Sequence, residues 1–308
     1  MIVVAINDPF MSVEDIVYAM KYDSAHGRFA GTIEAGSDGA SVVINGRTVS
    51  VTGHKDPAEC EWKTRGVKIV VDCSGAFKTV ESASAHLEGG AEKVVISAPS
   101  KDAQMYVLGV NSDEFDSELK VVSNASCTTN CLAPLVKVVH EAFGVEEALM
   151  TTVHACTASQ RIVDLNNSKK HRLGRSGMNN IIPSTTGAAM AVAKVYPALD
   201  GKMTGMSMRV PTVDVSVVDV CIRLENPASL EDIQAALQAA ADGPMAGILE
   251  VCTDEIVSSD VIGNTHSCVY DVGSSLAISD RFVKLIAFYD NEYGYAARLG
   301  ELVVMAAQ

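Results

Sequence analysis

The hydrophobic pattern along the chain changes character halfway. In the first half, short apolar runs alternate with segments of helical period. Residues 2–6 form one continuous β-rich run. Ser12-Val13-Glu14-Asp15 is a capping-box signature, and Ile16, Val17 and Met20 follow it as an apolar helical stripe. Residues 42–44 and 48–51 are apolar runs on either side of Asn45-Gly46, the strongest short-range hairpin signal. Residues 68–72 and 93–97 predict further strands, with a helix near 80–87 between them. Strands alternating with helices predict an α/β unit with a parallel, doubly wound sheet.

The second half reads differently. Ser216, Val218, Val220, Ile222 and Leu224 alternate with Val217, Asp219, Cys221 and Arg223, so this strand buries one face. Residues 149–155, 205–213 and 283–289 are also strand-like. One strong helix sits among them: Ser229 caps it, Asp232 closes the box, Ile233 and Leu237 pack, and Gly243-Pro244 stops it. Long alternating strands with few helices predict an α+β unit on a largely antiparallel sheet. The chain ends in a helix carrying Tyr295, Leu299, Leu302, Val303 and Ala306 on one face.

Composition narrows the function. The 308 residues, 48% hydrophobic and 20% charged, fit a two-domain globular chain. The longest uncharged stretch, residues 176–193, is broken by Asn, Pro and Gly, so no membrane span is expected, and the opening residues lack a secretory pattern. With 24 basic and 38 acidic residues the net charge is −14, which argues against nucleic acid as the main partner. The eight cysteines include no C-x-x-C and no metal-ligand set, so we expect no metal, a reduced cytoplasmic compartment, and thiols that mostly pack as small hydrophobes.

One cysteine stands apart. In the segment SNASCTT, Cys127 falls at the start of a helix striped by Leu132, Leu135, Val136, Val139 and Phe143. Free N–H groups and the positive end of the helix dipole favour a thiolate there. A thiol of pKa ~8.5 is about 3% ionised at pH 7, and one lowered to ~6 is about 90% ionised. His154 ends a predicted strand, where α/β and α+β sites collect side chains, and is a candidate base for Cys127. Cys/His pairs also serve hydrolases and acyltransferases, so the pairing alone does not name a reaction.

The blocks SNASCTTNCLAPL, TTVHA, NIIPSTTGAA, GKMTGM, MRVPT, VSVVD and FYDNEYGY, in this order, resemble glyceraldehyde-3-phosphate dehydrogenase over nearly the whole chain. The resemblance implies an NAD-binding domain of residues 1–126 and 291–308 and a catalytic domain of residues 127–290. It implies that Cys127 attacks the aldehyde to give a thiohemiacetal. His154 takes the hydroxyl proton as hydride leaves for NAD, and inorganic phosphate then cleaves the thioester. Thr157 and Arg209 match the site for the phosphate of the aldehyde substrate. Ser126, Thr128, Thr186 and Gly187 match the site for the attacking phosphate. Asp8 matches the acceptor for the adenosine ribose, which favours NAD over its 2′-phosphorylated form. Lys55, Ser97, Asn291 and Tyr295 match further cofactor contacts, and Asn291 doubles as an expected helix N-cap. A cytoplasmic glycolytic homotetramer follows, with an erythrose-4-phosphate dehydrogenase or a non-catalytic chain as the alternatives.

Two departures qualify the resemblance. No G-x-G-x-x-G occurs, and only seven residues precede Asp8, so the chain reads as N-terminally incomplete in its Rossmann-type domain. We expect residues 2–6 and 68–72 to lie on either side of a missing central strand without pairing, and NAD to bind weakly. The loop of residues 165–180 keeps Arg172 and Arg175 but departs from the family motif, which leaves the subunit contacts less defined than the chemistry.

Overall fold

A computed structural model describes residues 1–308, which divide into two compact units. The first comprises Met1–Gln104, Asp116–Asn124 and Gly300–Gln308; the second comprises Met105–Phe115 and Ala125–Leu299. The boundary in the terminal helix therefore falls inside Tyr293–Ala306 rather than before it. Tyr295 and Arg298 explain this, because they donate to the carbonyls of Ala125 and Gly247, both in the second unit.

The first unit is α/β, and its sheet is in two pieces. Ala5–Asn7 runs parallel to Arg47–Thr52, which continues antiparallel to Ser41–Ile44 and Ile33–Ala35. Ile69–Asp72 runs parallel to Lys93–Ile96, which runs parallel to Val121–Ser123. Ala5–Asn7 and Ile69–Asp72 are each the edge of their own sheet and do not pair with each other. The hairpin at Asn45-Gly46 forms as expected, with φ of 49° and 76° at its two turn residues. The Ser12/Asp15 box caps helix Val13–Lys21. The helix expected over 80–87 is broken into Val80–Ala83 and Ala85–Glu88, where the Ser84 hydroxyl turns back onto the Val80 carbonyl.

The second unit is built on a seven-stranded mixed sheet. Its strands run in the order Ile182–Thr185, Met203–Arg209, Val145–His154, Ser216–Leu224, Phe282–Tyr289, Cys268–Ser279 and Leu249–Cys252. Four of the six pairings are antiparallel. The other two, Val145–His154 with Met203–Arg209 and Leu249–Cys252 with Cys268–Ser279, are parallel. Strict alternation in Ser216–Leu224 places Val218, Val220, Ile222 and Leu224 on the face covered by helices Cys127–Phe143 and Leu230–Ala241. Leu132, Leu135, Val136 and Val139 fill that core, all at 1% exposure or less. Only three cysteines, Cys60, Cys131 and Cys268, are fully buried, fewer than composition led us to expect; Cys73 is exposed, and no disulfide forms.

Candidate active site

The site begins at a strained turn. Ala125 is buried and sits at φ 55°, in the left-handed region that costs a non-glycine residue roughly 1–2 kcal/mol. The turn lets Ser126 take the N-cap of helix Cys127–Phe143, its Oγ accepting from the Thr129 amide at 3.0 Å. Cys127 is thereby the first helical residue, as its sequence context predicts.

His154 arrives from another direction. It is the last residue of strand Val145–His154, in register with Arg209, the last residue of the parallel strand Met203–Arg209. Parallel pairing thus delivers a base and a cation side by side at two carboxyl ends, beside the head of the helix. Cys127 Sγ lies 3.6 Å from His154 Nε2. On the far side of the ring, Nδ1 lies 2.8 Å from the Ala155 carbonyl oxygen and 2.6 Å from Arg209 Nη1. The edge of the ring meets Tyr289 at 6.1 Å between centroids.

The electrostatics differ from the sequence expectation. Burial pushes the Cys127 thiol up; the Thr128 amide and hydroxyl and the Arg209 charge oppose it. Cys127 as a residue is only half-buried. Burial and then the Arg209 charge lower His154 to about 4, against the Ala155 carbonyl. Burial therefore works against the thiolate that the helix terminus favours, and against an imidazolium beside Arg209.

The remaining residues fall into separate groups. Thr186 sits just ahead of helix Ala188–Val195, its Oγ1 accepting from the Ala188 amide at 3.1 Å, and Gly187 occupies the N-cap. Thr157 is exposed, and its amide and hydroxyl both donate to Gln160 Oε1 at 2.9 Å. Thr128 turns inward, its hydroxyl within hydrogen-bond distance of Tyr289 Oη at 2.8 Å. Asn291 is not the cap of the last helix. Asp290 does that, accepting from the amides of Glu292 and Tyr293, while Asn291 Oδ1 accepts from the Ser216 hydroxyl at 2.6 Å. That bond leaves the Asn291 amide nitrogen as a donor of fixed direction.

In the first unit, Asp8 follows strand Ala5–Asn7, and its Oδ1 accepts from the Phe10 amide at 2.8 Å. One carboxylate oxygen held at a strand's carboxyl end leaves the other as an acceptor, which fits a ribose diol. Ser97 is half-buried just past Lys93–Ile96, and Lys55 is exposed on a loop.

Two residues that matter here were not singled out from sequence. Tyr289 is buried, and its hydroxyl bonds both Thr128 Oγ1 at 2.8 Å and Thr152 Oγ1 at 2.9 Å, tying the helix head to the His154 strand. Ser216 joins the Ala155 amide to Asn291. The signal for both was the inward phase of the alternating strands, which places a hydroxyl where a hydrophobe is the rule.

The family profile described as "Glyceraldehyde 3-phosphate dehydrogenase, C-terminal domain" matches residues 126–291, and that described as "NAD binding domain" of the same family matches residues 1–80. The chain is 54% identical over 305 residues to glyceraldehyde-3-phosphate dehydrogenase 1 of Schizosaccharomyces pombe, covering 99% of this chain and 90% of the relative. It is 54% identical to the enzyme of Omphalotus olearius over 306 residues, with the same coverages. It is 53% identical to the cytosolic enzyme of Gracilaria gracilis over 308 residues, covering 100% of this chain and 91% of the relative. These relatives carry the triose-phosphate name and not that of the tetrose alternative. A Cys/His pair between a helix head and two parallel strand ends, the two matching profiles and this identity lead to one conclusion: the chain belongs to the glyceraldehyde-3-phosphate dehydrogenase family.

Proposed function

We propose that Cys127 and His154 carry out the NAD-dependent, phosphorylating oxidation of glyceraldehyde 3-phosphate to 1,3-bisphosphoglycerate. The observation that carries this reading is the 3.6 Å approach of Cys127 Sγ to His154 Nε2 beside the Arg209 guanidinium. Attack of Sγ on the aldehyde carbon gives a thiohemiacetal, and the Thr128 amide at the helix head offers its N–H to the developing oxyanion. His154 Nε2 takes the hydroxyl proton as the carbon is oxidised to a thioester on Cys127. NAD, when bound, supplies the hydride acceptor. A phosphate oxygen then attacks the thioester, and the acyl phosphate leaves Cys127 free.

Arg209 and Thr157 would hold the phosphate of the aldehyde, by charge-assisted hydrogen bonds to its oxygens. Ser126, Thr186 and Gly187 are the donors we assign to the inorganic phosphate. Asp8, Lys55, Ser97, Asn291 and Tyr295 are the residues we assign to NAD. The open face of the seven-stranded sheet supports a homotetramer: Leu149, Leu276 and Ile278 on it are 65%, 61% and 84% exposed. No helix is long and apolar enough to cross a membrane, and a cytoplasmic setting matches the eight free thiols.

The test is steady-state NAD reduction with glyceraldehyde 3-phosphate and inorganic phosphate. Cys127→Ser should lower kcat by about four powers of ten or more, as loss of a nucleophile does. Cys131→Ser, one turn along the same helix and fully buried, should keep most of its rate. A Cys127→Ser enzyme that still turns over would end the proposal.

A further inference from the structure

The first unit holds a buried polar cluster that the chemistry at Cys127 does not use. His86 is 7% exposed, Asp72 6%, and Trp62, the single tryptophan of the chain, 5%. An indole N–H can only donate, and Trp62 Nε1 gives it to His86 Nδ1 at 3.3 Å. A neutral ring that accepts at Nδ1 carries its hydrogen on Nε2. Nε2 faces Asp72 Oδ2 across 3.8 Å, and neither atom has a competing hydrogen-bond partner. In a low-dielectric interior an N–H dipole and a carboxylate attract over that gap more strongly than in water. Burial pushes the Asp72 carboxyl up, but His86 and Ser74 outweigh it and hold the carboxyl below its ordinary value.

The other carboxylate oxygen works outward. Asp72 Oδ1 accepts from the Ser74 amide at 2.8 Å and from Ser74 Oγ at 2.6 Å, and Ser74 Oγ accepts from the Ala76 amide at 3.1 Å. These bonds shape the turn that follows strand Ile69–Asp72, with Gly75 at φ 68°. The Asp72 carbonyl meanwhile accepts from the Ser97 amide at 2.9 Å, across the parallel pair of Ile69–Asp72 with Lys93–Ile96. One residue thus ties the turn and Ser97 together at two adjacent carboxyl ends, where open α/β sheets take their ligands. We infer that His86 is a positioning residue for NAD: braced by Trp62, it holds the Asp72 side chain, and Asp72 holds the turn of residues 73–76 beside Ser97. The inference rests on the assignment of Ser97 to NAD.

The brace is fixed by backbone as well as by side chains. The Trp62 amide donates to the Gly89 carbonyl at 2.7 Å, at the end of the helix Ala85–Glu88 that carries His86. A side chain at position 89 would run into the Pro57 carbonyl and the indole, so glycine permits the close approach. Phe77, one residue past Ala76, meets the His86 ring edge-on at 5.6 Å between centroids. Filling this space needs only an apolar side chain. A polar line from indole to imidazole to carboxylate to turn is what packing leaves unexplained, and it ends beside a proposed cofactor contact.

The experiment is NAD binding by calorimetry, with steady-state NAD reduction beside it, on the full chain. His86→Leu fills the space but can bond neither Trp62 nor Asp72. It should raise the Kd and KM for NAD by about tenfold and leave kcat within about twofold. His86→Gln keeps an acceptor for the indole and a donor for the carboxylate, and should bring both constants back to within about threefold of wild type. Ser74 is exposed, so Ser74→Ala spares the core. It should weaken NAD to a similar degree, and the double variant His86→Leu/Ser74→Ala no further, because one line is cut twice. Trp62 emission and thermal unfolding check that each variant is folded. A packing role alone predicts the opposite order, with Leu as good as Gln and NAD binding unmoved. Unchanged NAD binding in His86→Leu, or losses that add in the double variant, overturn the inference. Should His86→Leu fail to fold, Ser74→Ala decides, and wild-type NAD binding in it overturns the inference. A wild type that binds no NAD ends the cofactor reading of Ser97 together with this one, whereas normal binding that neither variant disturbs ends this one alone.

Discussion

In the second unit one continuous apolar core runs under the seven-stranded sheet and gathers residues from every long strand, from Met150 to Tyr289. The first unit distributes its buried residues over three small clusters, around Val13 and Val42, around Trp62 and Val70, and around Val94 and Val121. The difference follows from topology. The long strands of the second unit are paired on both sides in the middle of the sheet, whereas Ala5–Asn7 and Ile69–Asp72 each end their sheet on an unpaired edge. A single core can hold a strained Ala125 and a part-buried Arg209/His154 contact in place. The first unit's proposed ligands, Asp8 and Lys55, stand on loops and strand ends.

The largest expected effect breaks that comparison directly. Amide hydrogen exchange should be fastest, within ordered structure, at Ile6 and Val70 on the two free-edged strands. It should be slower by about a thousandfold at Val218, Val220 and Ile222 in the central strand, since protection tracks the free energy of local opening. Equal protection in the two sets would mean that the free edges cost nothing and that the units open together.

A second effect comes from His154. Its pKa is lowered from 6.5 to about 4 by burial and by Arg209. The unfolded chain therefore binds this proton more readily than the folded one, and stability falls as pH drops from 6.5 towards 4. The size is on the order of 3 kcal/mol across that window. Thermal unfolding of wild type and His154→Gln, compared at pH 7 and pH 4.5, isolates it: the variant has no such titration and should lose less stability. Parallel losses in the two proteins would place the acid sensitivity elsewhere, in the first unit for example.

How far the sequence foretold this arrangement depended on range. Local signals read well: the Ser12/Asp15 and Ser229/Asp232 boxes, the Asn45-Gly46 turn, and Cys127 at a helix start are all decided within four residues of chain. The strand ends were less exact. The strand expected over 2–6 is Ala5–Asn7, because its extent is set by the partner Arg47–Thr52 and not by its own apolar run. What pattern could not supply was competition in three dimensions. A helix start predicts a depressed thiol; burial, which depends on strands far away in sequence, reverses it. Asn291 reads as a cap, yet Asp290 takes that place because Ser216 holds the Asn291 side chain. The pairing of Arg209 with His154 depends on a parallel register between strands about 55 residues apart, which no local motif encodes.

The smallest effect concerns the tie between helix head and strand. Tyr289 is fully buried, and its hydroxyl bonds Thr128 at 2.8 Å and Thr152 at 2.9 Å. Tyr289→Phe keeps the ring against His154 and removes only the oxygen. Two buried hydroxyls then lose a partner, which costs roughly 1–3 kcal/mol. A side-chain contact in a first-unit cluster is looser: Trp62 Nε1 donates to His86 Nδ1 at 3.3 Å. A Trp62→Phe change removes that bond along with part of a ring, so loss of packing dominates its cost. The two variants should therefore differ in kind. Tyr289→Phe should lower stability modestly and also slow Cys127 alkylation, because Thr128 is released from the position that presents its amide to the thiol. Trp62→Phe should lower stability and leave alkylation alone. Equilibrium denaturation and iodoacetamide kinetics on both proteins decide it. If Tyr289→Phe alkylates at the wild-type rate, the hydroxyl bridge is a feature of the core only, and the helix head is held by the Ser126 cap without it.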